Sequence, residues 1–354
     1  MREEEIMKRI TFIGPVSPPV SGPGIKNSFL LNSLIDKHGN IKVVNTIGWK
    51  KKIFKLLKEL FRDRNDRVVL SISRRGRFIF LPCLFLVKKI RKNFKYILIP
   101  AGGGTYQEVN KLNIFFKKLI ILALKNCDYI YVESHQLKKD LTTKFGLNNV
   151  KYLPNFKTVK LETPSNFKKT NKDPIRLVYL SRVRKLKGVE ISLEAIAKIS
   201  GETSKNITYD IYGPIEIGYE ETFLNKLQDY PFASYKGPVE ISKVAEVLSH
   251  YDAFVFPTYH PDEGFPGVII DAFMAGLPVI ATSNNSNGEI VKNNINGYLV
   301  EPQNVNDLAD GILKIVEHAE IRGKMRENNY KEAEKYDVDT LIEKLLSELR
   351  LKQW

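Results

Sequence analysis

The sequence is poor in the residues that bind metals and form cross-links. Its 354 residues include two cysteines, Cys83 and Cys127, and five histidines. Two thiols cannot make a disulfide framework. Both lie on apolar segments, where buried thiols in a reducing cytosol are expected. No Cys/His spacing fits a zinc site, so no metal is expected. A long apolar run is also missing. The longest, Phe78 to Val87, spans ten residues and is interrupted by Pro82, whereas a bilayer-crossing helix needs about 20. The start, Met1 to Glu5, is acidic and has no apolar stretch, so a signal peptide is not expected. Disorder and collagen-like repeats are excluded by 43% hydrophobic and 27% charged residues, an ordinary composition for a folded chain.

Positive charge is unevenly placed. Up to Asn155 there are 30 basic and 11 acidic residues, a balance of +19; the rest has 25 and 29, a balance of −4. Charge concentrated in one half points to a polyanion: nucleic acid, anionic lipid or a phosphorylated substrate. The densest stretch, residues 50 to 95, holds 16 basic and 3 acidic residues. Within it Trp49, Ile53, Leu56, Leu57 and Leu60 share one helical face, with Lys51, Lys52, Lys55 and Lys58 mainly opposite. Such a helix fits an anionic membrane surface; the same periodicity also describes a core-facing helix with a lysine-rich outer side.

Short apolar runs alternate with helical patterns along the chain. Strands are expected at 10–13, 41–44, 68–72, 96–99, 129–132 and 150–153, and helices between most of them, among them 25–35. The polar segment Lys157 to Pro174 reads as a linker. Alternation then resumes, with strands at 175–180, 207–212, 232–235, 253–257, 278–281 and 297–300. Helices are expected at 188–199, 220–228, 241–248, 268–275 and 305–318, and an amphipathic stretch at 338–351 closes the chain. This order predicts an α/β protein of two Rossmann-like doubly wound domains facing across a cleft, 1–160 and 174–337, with helix 338–354 able to pack back on the first. Ligands in such folds bind beyond the carboxyl ends of the strands.

Two clusters stand at those ends. In LSRVRKLKG, Arg182 and Lys187 lie in a turn that opens a helix at Gly188. Two cations beside a helix start suit a phosphate, although a basic surface loop has the same look. In PTYHPDEGFPGVIIDAFMAGLPV, Glu263 precedes Gly264, and Asp271 follows on a helix among apolar neighbours, where a buried carboxylate needs a partner. Gly264 and Gly267 allow close backbone approach. Asp337-Val338-Asp339 reads as a helix cap rather than a metal site.

Together these motifs resemble the retaining nucleotide-sugar glycosyltransferases of the GT-B fold, family four (group 1). The resemblance covers most of the C-terminal half, including Lys236-Gly237-Pro238-Val239 and Asn296-Gly297-Tyr298. It extends more loosely to Gly14-Pro15, Ser21-Gly22-Pro23-Gly24, Ser134 and Leu153-Pro154-Asn155. It implies that Arg182 and Lys187 hold a donor diphosphate and, with Glu263, form the catalytic set. It implies that Glu263 binds the transferred sugar, that backbone groups of Gly264, Phe265, Gly267 and Val268 support sugar and phosphate, and that Asp271 takes the ribose. Gly14, Gly22, Gly24, Gly213 and Val239 complete the implied donor-binding set. Three departures are visible: Asp271 stands where relatives carry Glu, Pro266 follows Phe265 where a Gly is common and removes one backbone donor, and the loop Ile99 to Glu108 lacks the His that many relatives have. In that loop Gly103, Gly104, Tyr106 and Glu108 are expected to meet the acceptor.

What the resemblance implies is transfer of a sugar from a nucleotide-diphosphate sugar, UDP- or GDP-linked, with retained anomeric configuration and no other cofactor. The acceptor would be lipid-linked, such as a polyprenyl-diphosphate glycan, in surface polysaccharide or glycolipid synthesis. The enzyme would be cytoplasmic and peripheral on the inner membrane face, without a nucleic-acid partner. The alternatives are a nucleotide-sugar epimerase of related fold, or a nucleic-acid-binding protein using the basic half, for which no signature appears.

Overall fold

A computed structural model describes residues 9–18, 22–48, 67–72, 74–100, 102, 104–159, 173–261, 263–284 and 286–351. The chain divides into two compact units, Met1–Thr158 with Asp337–Trp354, and Val159–Tyr336.

In the first unit, strands β1 (Ile10–Gly14), β2 (Ile41–Asn45), β3 (Arg67–Leu70), β4 (Lys95–Leu98), β5 (Tyr129–Val132) and β6 (Val150–Tyr152) form a parallel sheet in the order β2-β1-β3-β4-β5-β6. Alternate residues feed separate cores. Val68, Leu70, Tyr96 and Leu98 pack on one side, and Phe12, Val69 and Ile97 on the other. Burial on both faces explains why these strands read as continuous apolar runs. The run Phe78 to Val87 is part of one helix, Arg74–Ile90, with Pro82 inside it. Proline removes a single backbone bond, while Phe80, Leu81, Leu84 and Val87 are buried on both sides of it. Cys127 is buried there and its thiol is pushed far up by that burial; Cys83 is only half-buried.

The last helix, Val338–Leu351, belongs to this unit. Val338, Ile342 and Leu345 pack with Leu30 and Leu34 of helix Gly22–His38. Ser33 Oγ donates to Asp339 Oδ1 at 2.7 Å, and Lys37 pairs with Glu343 at 2.6 Å. Asp337 Oδ2 accepts from the Asp339 and Thr340 amides, each at 3.2 Å, and so caps the helix.

The second unit holds β7 (Ile175–Leu180), β8 (Ile207–Tyr212), β9 (Ala233–Gly237), β10 (Ala253–Phe256), β11 (Val279–Thr282) and β12 (Gly297–Val300) in the order β12-β11-β10-β7-β8-β9. All pairings are parallel. Leu177, Tyr179 and Val255 face one core; Val178, Phe254 and Phe256 face the other. The chain moves outward from β7 to β9, then restarts on the other side of β7 with β10. The crevice of a doubly wound sheet lies where strand order reverses, so here it lies beyond the ends of β7 and β10.

Candidate functional site

The loops that leave β7 and β10 are knitted together by their backbones. After β7, the Ser181 amide donates to Tyr212 O at 3.1 Å, and Val183 N to Pro214 O at 3.0 Å. A 3-10 turn follows at Lys185–Lys187 and ends at Gly188, with φ of 74°. A Cβ at Gly188 would stand 2.1 Å from Pro257 O. Only glycine meets both conditions, the left-handed backbone and the close approach. The β10 loop answers with Tyr259 N donating to Leu186 O at 3.0 Å.

This contact brings two residues of the sequence reading together. Lys187 Nζ and Glu263 Oε2 form an ion pair, each side chain 14% exposed. Thr258, fully buried, donates from Oγ1 to the same Glu263 oxygen at 3.1 Å. Lys187 Nζ also lies 5.5 Å from the centroid of the Phe256 ring, within cation–π range. Glu263 is therefore fixed by a lysine and a threonine from two different loops. Thr258 was not singled out from the sequence; its one signal is a hydroxyl directly after an apolar strand and Pro257.

Arg182 is exposed in the first of these loops, and its carbonyl accepts from Tyr179 OH at 3.0 Å. Helix Val189–Ser200 starts beside it with an acidic residue, Glu190, in its first turn. Burial pushes the Glu190 carboxyl up, but Tyr219 and Lys226 outweigh this and hold it below the usual carboxylate range. Lys226 Nζ lies 3.1 Å from it. Lys226 also pairs with Glu194, at 2.8 Å, so it offsets the charge of the one carboxylate in that first turn only in part.

Helix Gly267–Met274 begins right after the β10 loop. Asp271 is buried in its second turn. Phe265 turns its ring into the core against Tyr336, centroids 5.4 Å apart, so its backbone is what remains for a ligand. Gly264, Gly267 and Val268 are partly accessible. Gly213 serves the scaffold: a Cβ there would stand 1.9 Å from Ser181 O, and its own carbonyl accepts from Tyr235 OH at 2.8 Å. Val239 packs its side chain against the Phe265 core.

In the first unit, strand order reverses between β1 and β3. Gly14 ends β1 where a Cβ would stand 2.2 Å from Ser71 O. Asn27 fills the gap, donating to Pro15 O at 2.8 Å and Ser71 O at 3.1 Å. Gly22 and Gly24 open the helix, Gly24 buried and Gly22 exposed. Gly104 caps helix Thr105–Asn110. Tyr106 packs against Phe145 with the rings tilted at 41° and their centroids 5.1 Å apart. Glu108 is ion-paired with Arg77, whose side chain is 3% exposed and which also donates to Thr105 Oγ1 at 2.6 Å. An acceptor could use Glu108 only by sharing it with that arginine. His135 stacks on Tyr152 at 4.0 Å between centroids, and Ser134 caps its helix by accepting from Leu137 N at 3.1 Å. Gly103, Trp49, Lys51, Lys52, Lys55 and Lys58 lie outside the described residues.

Residues 162–332 match the family described as Glycosyl transferases group 1. The chain is 26% identical over 263 residues to the capsular polysaccharide biosynthesis glycosyltransferase CapM of Staphylococcus aureus, covering 72% of this chain and 66% of CapM. It is 27% identical over 105 residues to the N,N'-diacetylbacillosaminyl-diphospho-undecaprenol alpha-1,3-N-acetylgalactosaminyltransferase of Campylobacter jejuni, covering 30% of this chain and 27% of that one. Among solved structures, HepE of Anabaena in complex with UDP and glucose superposes with a TM-score of 0.73 at 15% identity, over 97% of this chain and 99% of HepE. That likeness is one of fold, and the fold is GT-B.

Proposed function

We propose, from the premise that residues 162–332 carry a group 1 glycosyltransferase domain and that the chain is a glycosyltransferase, that it is a retaining enzyme of family four whose donor site is centred on Lys187 and Glu263. The observation that carries this reading is their ion pair at the point where strand order reverses. An ammonium has three donors. Lys187 can therefore hold Glu263 and still donate to a donor phosphate.

In this reading Arg182 and Lys187 bind the diphosphate, together with the start of helix Val189–Ser200. Glu263 accepts from hydroxyls of the sugar, and Asp271 from those of the ribose. The carbon–oxygen bond between the anomeric carbon and the diphosphate breaks as the acceptor oxygen bonds to that carbon on the same face. The acceptor proton passes to the departing diphosphate. The cations stabilise the charge that develops on the leaving group, where preorganised donors contribute most.

The donor is a UDP-sugar in this proposal, supported by the UDP bound in HepE. A lipid-linked glycan acceptor is supported by the undecaprenol-linked substrate in the name of the Campylobacter relative and by the basic N-terminal half. A surface polysaccharide product is supported by CapM. The test is a thermal-shift panel of UDP-, GDP- and other nucleotide sugars. A ligand at about 100 times its dissociation constant adds roughly 2.7 kcal/mol of stability, so the true donor separates clearly from the rest. A panel in which every nucleotide sugar leaves Tm unchanged sinks the proposal.

A further inference from the structure

The first unit has an opening of its own at its edge strand, β6. It is a cavity of about 220 Å³ bounded by β5, β6, helix His135–Phe145 and helix Val338–Leu351. Its floor is apolar: Leu153 and Leu345 are buried, and Leu341 is partly buried. Tyr131 and Tyr152 stand beside the floor. The Tyr152 ring is held by His135, stacked on it at 20°. Lys138, Lys151 and Lys344 complete the lining, which includes no carboxylate.

Each lysine comes from a different element, so no single helical pattern accounts for the cluster. Lys151 lies in β6, in register with Tyr131. Its ammonium is 4.0 Å from the centroid of the Tyr129 ring, within cation–π range. Lys138 and Lys344 are exposed, and neither is paired with a carboxylate among the described side chains. Lys138 follows closely on the start of helix His135–Phe145, whose first turn has no acidic residue. The dipole of that helix opposes a cation there, and three like charges around one small opening repel one another. An anion in the cavity relieves both costs.

The lining selects among anions. Bare phosphate uses the lysines but not the leucines and tyrosines. The space is below the roughly 300–1,000 Å³ of sites for drug-sized ligands, so it suits one small ring. A sugar ring bearing phosphate or carboxylate meets every feature. Its C–H face packs on leucine and tyrosine, and its charge is met by ammonium groups.

We propose that this cavity binds one negatively charged saccharide residue, with Lys138 and Lys344 on its phosphate or carboxylate. Leu153 follows β6 and Lys138 follows β5, so the cavity sits at the carboxyl ends of these strands. The loop Ile99 to Glu108 leaves the same end of the sheet after β4, two strands or about 10 Å away. On the reading given under the proposed function, on which this step rests, the saccharide belongs to the acceptor glycan and is held apart from the residue that receives the sugar.

The experiment is isothermal titration of the full chain with glucose 6-phosphate, glucuronate, glucose and glycerol 3-phosphate, with UDP present to fill the donor site. Wild type binds the two charged sugars in preference to the other two. Lys138→Gln with Lys344→Gln weakens both charged sugars by about tenfold, as expected for a lost charge-assisted contact, while Tm and nucleotide-sugar affinity are unchanged. Lys139→Gln, beside Lys138 but outside the lining, changes nothing. A hyaluronan tetrasaccharide separates the two sources of such a ligand: a gain over glucuronate assigns the cavity to a glycan chain, and no gain assigns it to a free sugar phosphate or sugar acid. Failure of both charged sugars to bind, equal affinity for glycerol 3-phosphate, an equal loss in Lys139→Gln, or no loss in the double glutamine variant overturns the proposal. Nucleotide-sugar affinity is read separately without UDP. A blank there, with the charged sugars still lost in the double variant, removes the donor reading and keeps this site.

Discussion

Lys187 and Glu263 are 76 positions apart in the chain, and their side chains meet in an ion pair that joins the loop after β7 to the loop after β10. The pair is mostly buried, and removing one partner of such a pair strands the other charge. The same two groups are the ones assigned to phosphate and sugar. Their mutual contact therefore sets each in place before a donor arrives, at the cost that neither can be altered alone.

Coupling follows directly. Lys187→Met and Glu263→Gln should each lower stability and donor affinity, the lysine variant by roughly ten- to a hundredfold in affinity, matching about 1.5–3 kcal/mol for a charged hydrogen bond. The double variant should cost clearly less than the sum. A double-mutant cycle by urea denaturation and by nucleotide-sugar titration measures the coupling. Additive losses in both would mean that the pair is incidental.

Thr258 tests whether Glu263 must be held as well as present. Thr258→Val removes the 3.1 Å bond to Glu263 with little change of shape. The loss of about 1 kcal/mol should appear in kcat, roughly fivefold, with donor KM nearly constant, and Thr258→Ser should restore it. A KM effect instead would make Thr258 a scaffold residue of the loop. Glu263→Gln should lower kcat more steeply, whereas Asp271→Asn should mainly raise donor KM, because ribose contacts bind ground and transition states alike. The reverse pattern would exchange the two carboxylate roles.

Gly188 carries the geometry that brings the loops together. Gly188→Ala requires a left-handed alanine and places a methyl 2.1 Å from Pro257 O. Strain of this kind costs about 1–3 kcal/mol, so Tm should fall and donor binding with it. Gly22→Ala is the control: nothing stands within 4 Å of its Cβ, and alanine in a helix is favoured by up to ~1 kcal/mol. Equal stability of the two alanine variants would remove the argument for Gly188.

The alternation of apolar runs with helical spacing made the parallel α/β sheets legible, because strands buried on both faces need long apolar runs. The Arg182…Lys187-Gly188 and Glu263…Asp271 segments were legible as motifs. That Lys187 touches Glu263 was not, since nothing in either segment encodes the reversal of strand order that makes them neighbours. Thr258 was missed for the same reason. The helix Arg74–Ile90 was obscured by Pro82: a local breaker rule was overridden by tertiary burial of Phe80, Leu81, Leu84 and Val87.

Glu108 is where the sequence expectation and the observed contacts pull apart, and the two make opposite predictions. As an acceptor contact, Glu108→Ala would raise acceptor KM and leave stability alone. The structure instead engages the carboxylate with Arg77, a guanidinium 3% exposed. Alanine would leave that buried charge without its carboxylate, and breaking a buried pair from one side costs about 3–5 kcal/mol. Tm should therefore drop sharply. Replacing both partners by apolar residues, as in Arg77→Met with Glu108→Leu, should recover much of the loss, because no charge is then stranded. Thermal denaturation of the two single variants and the double one separates the readings. A Glu108→Ala protein as stable as wild type, with a raised acceptor KM, would return this residue to the acceptor site and leave Arg77 held by Thr105 and its other neighbours.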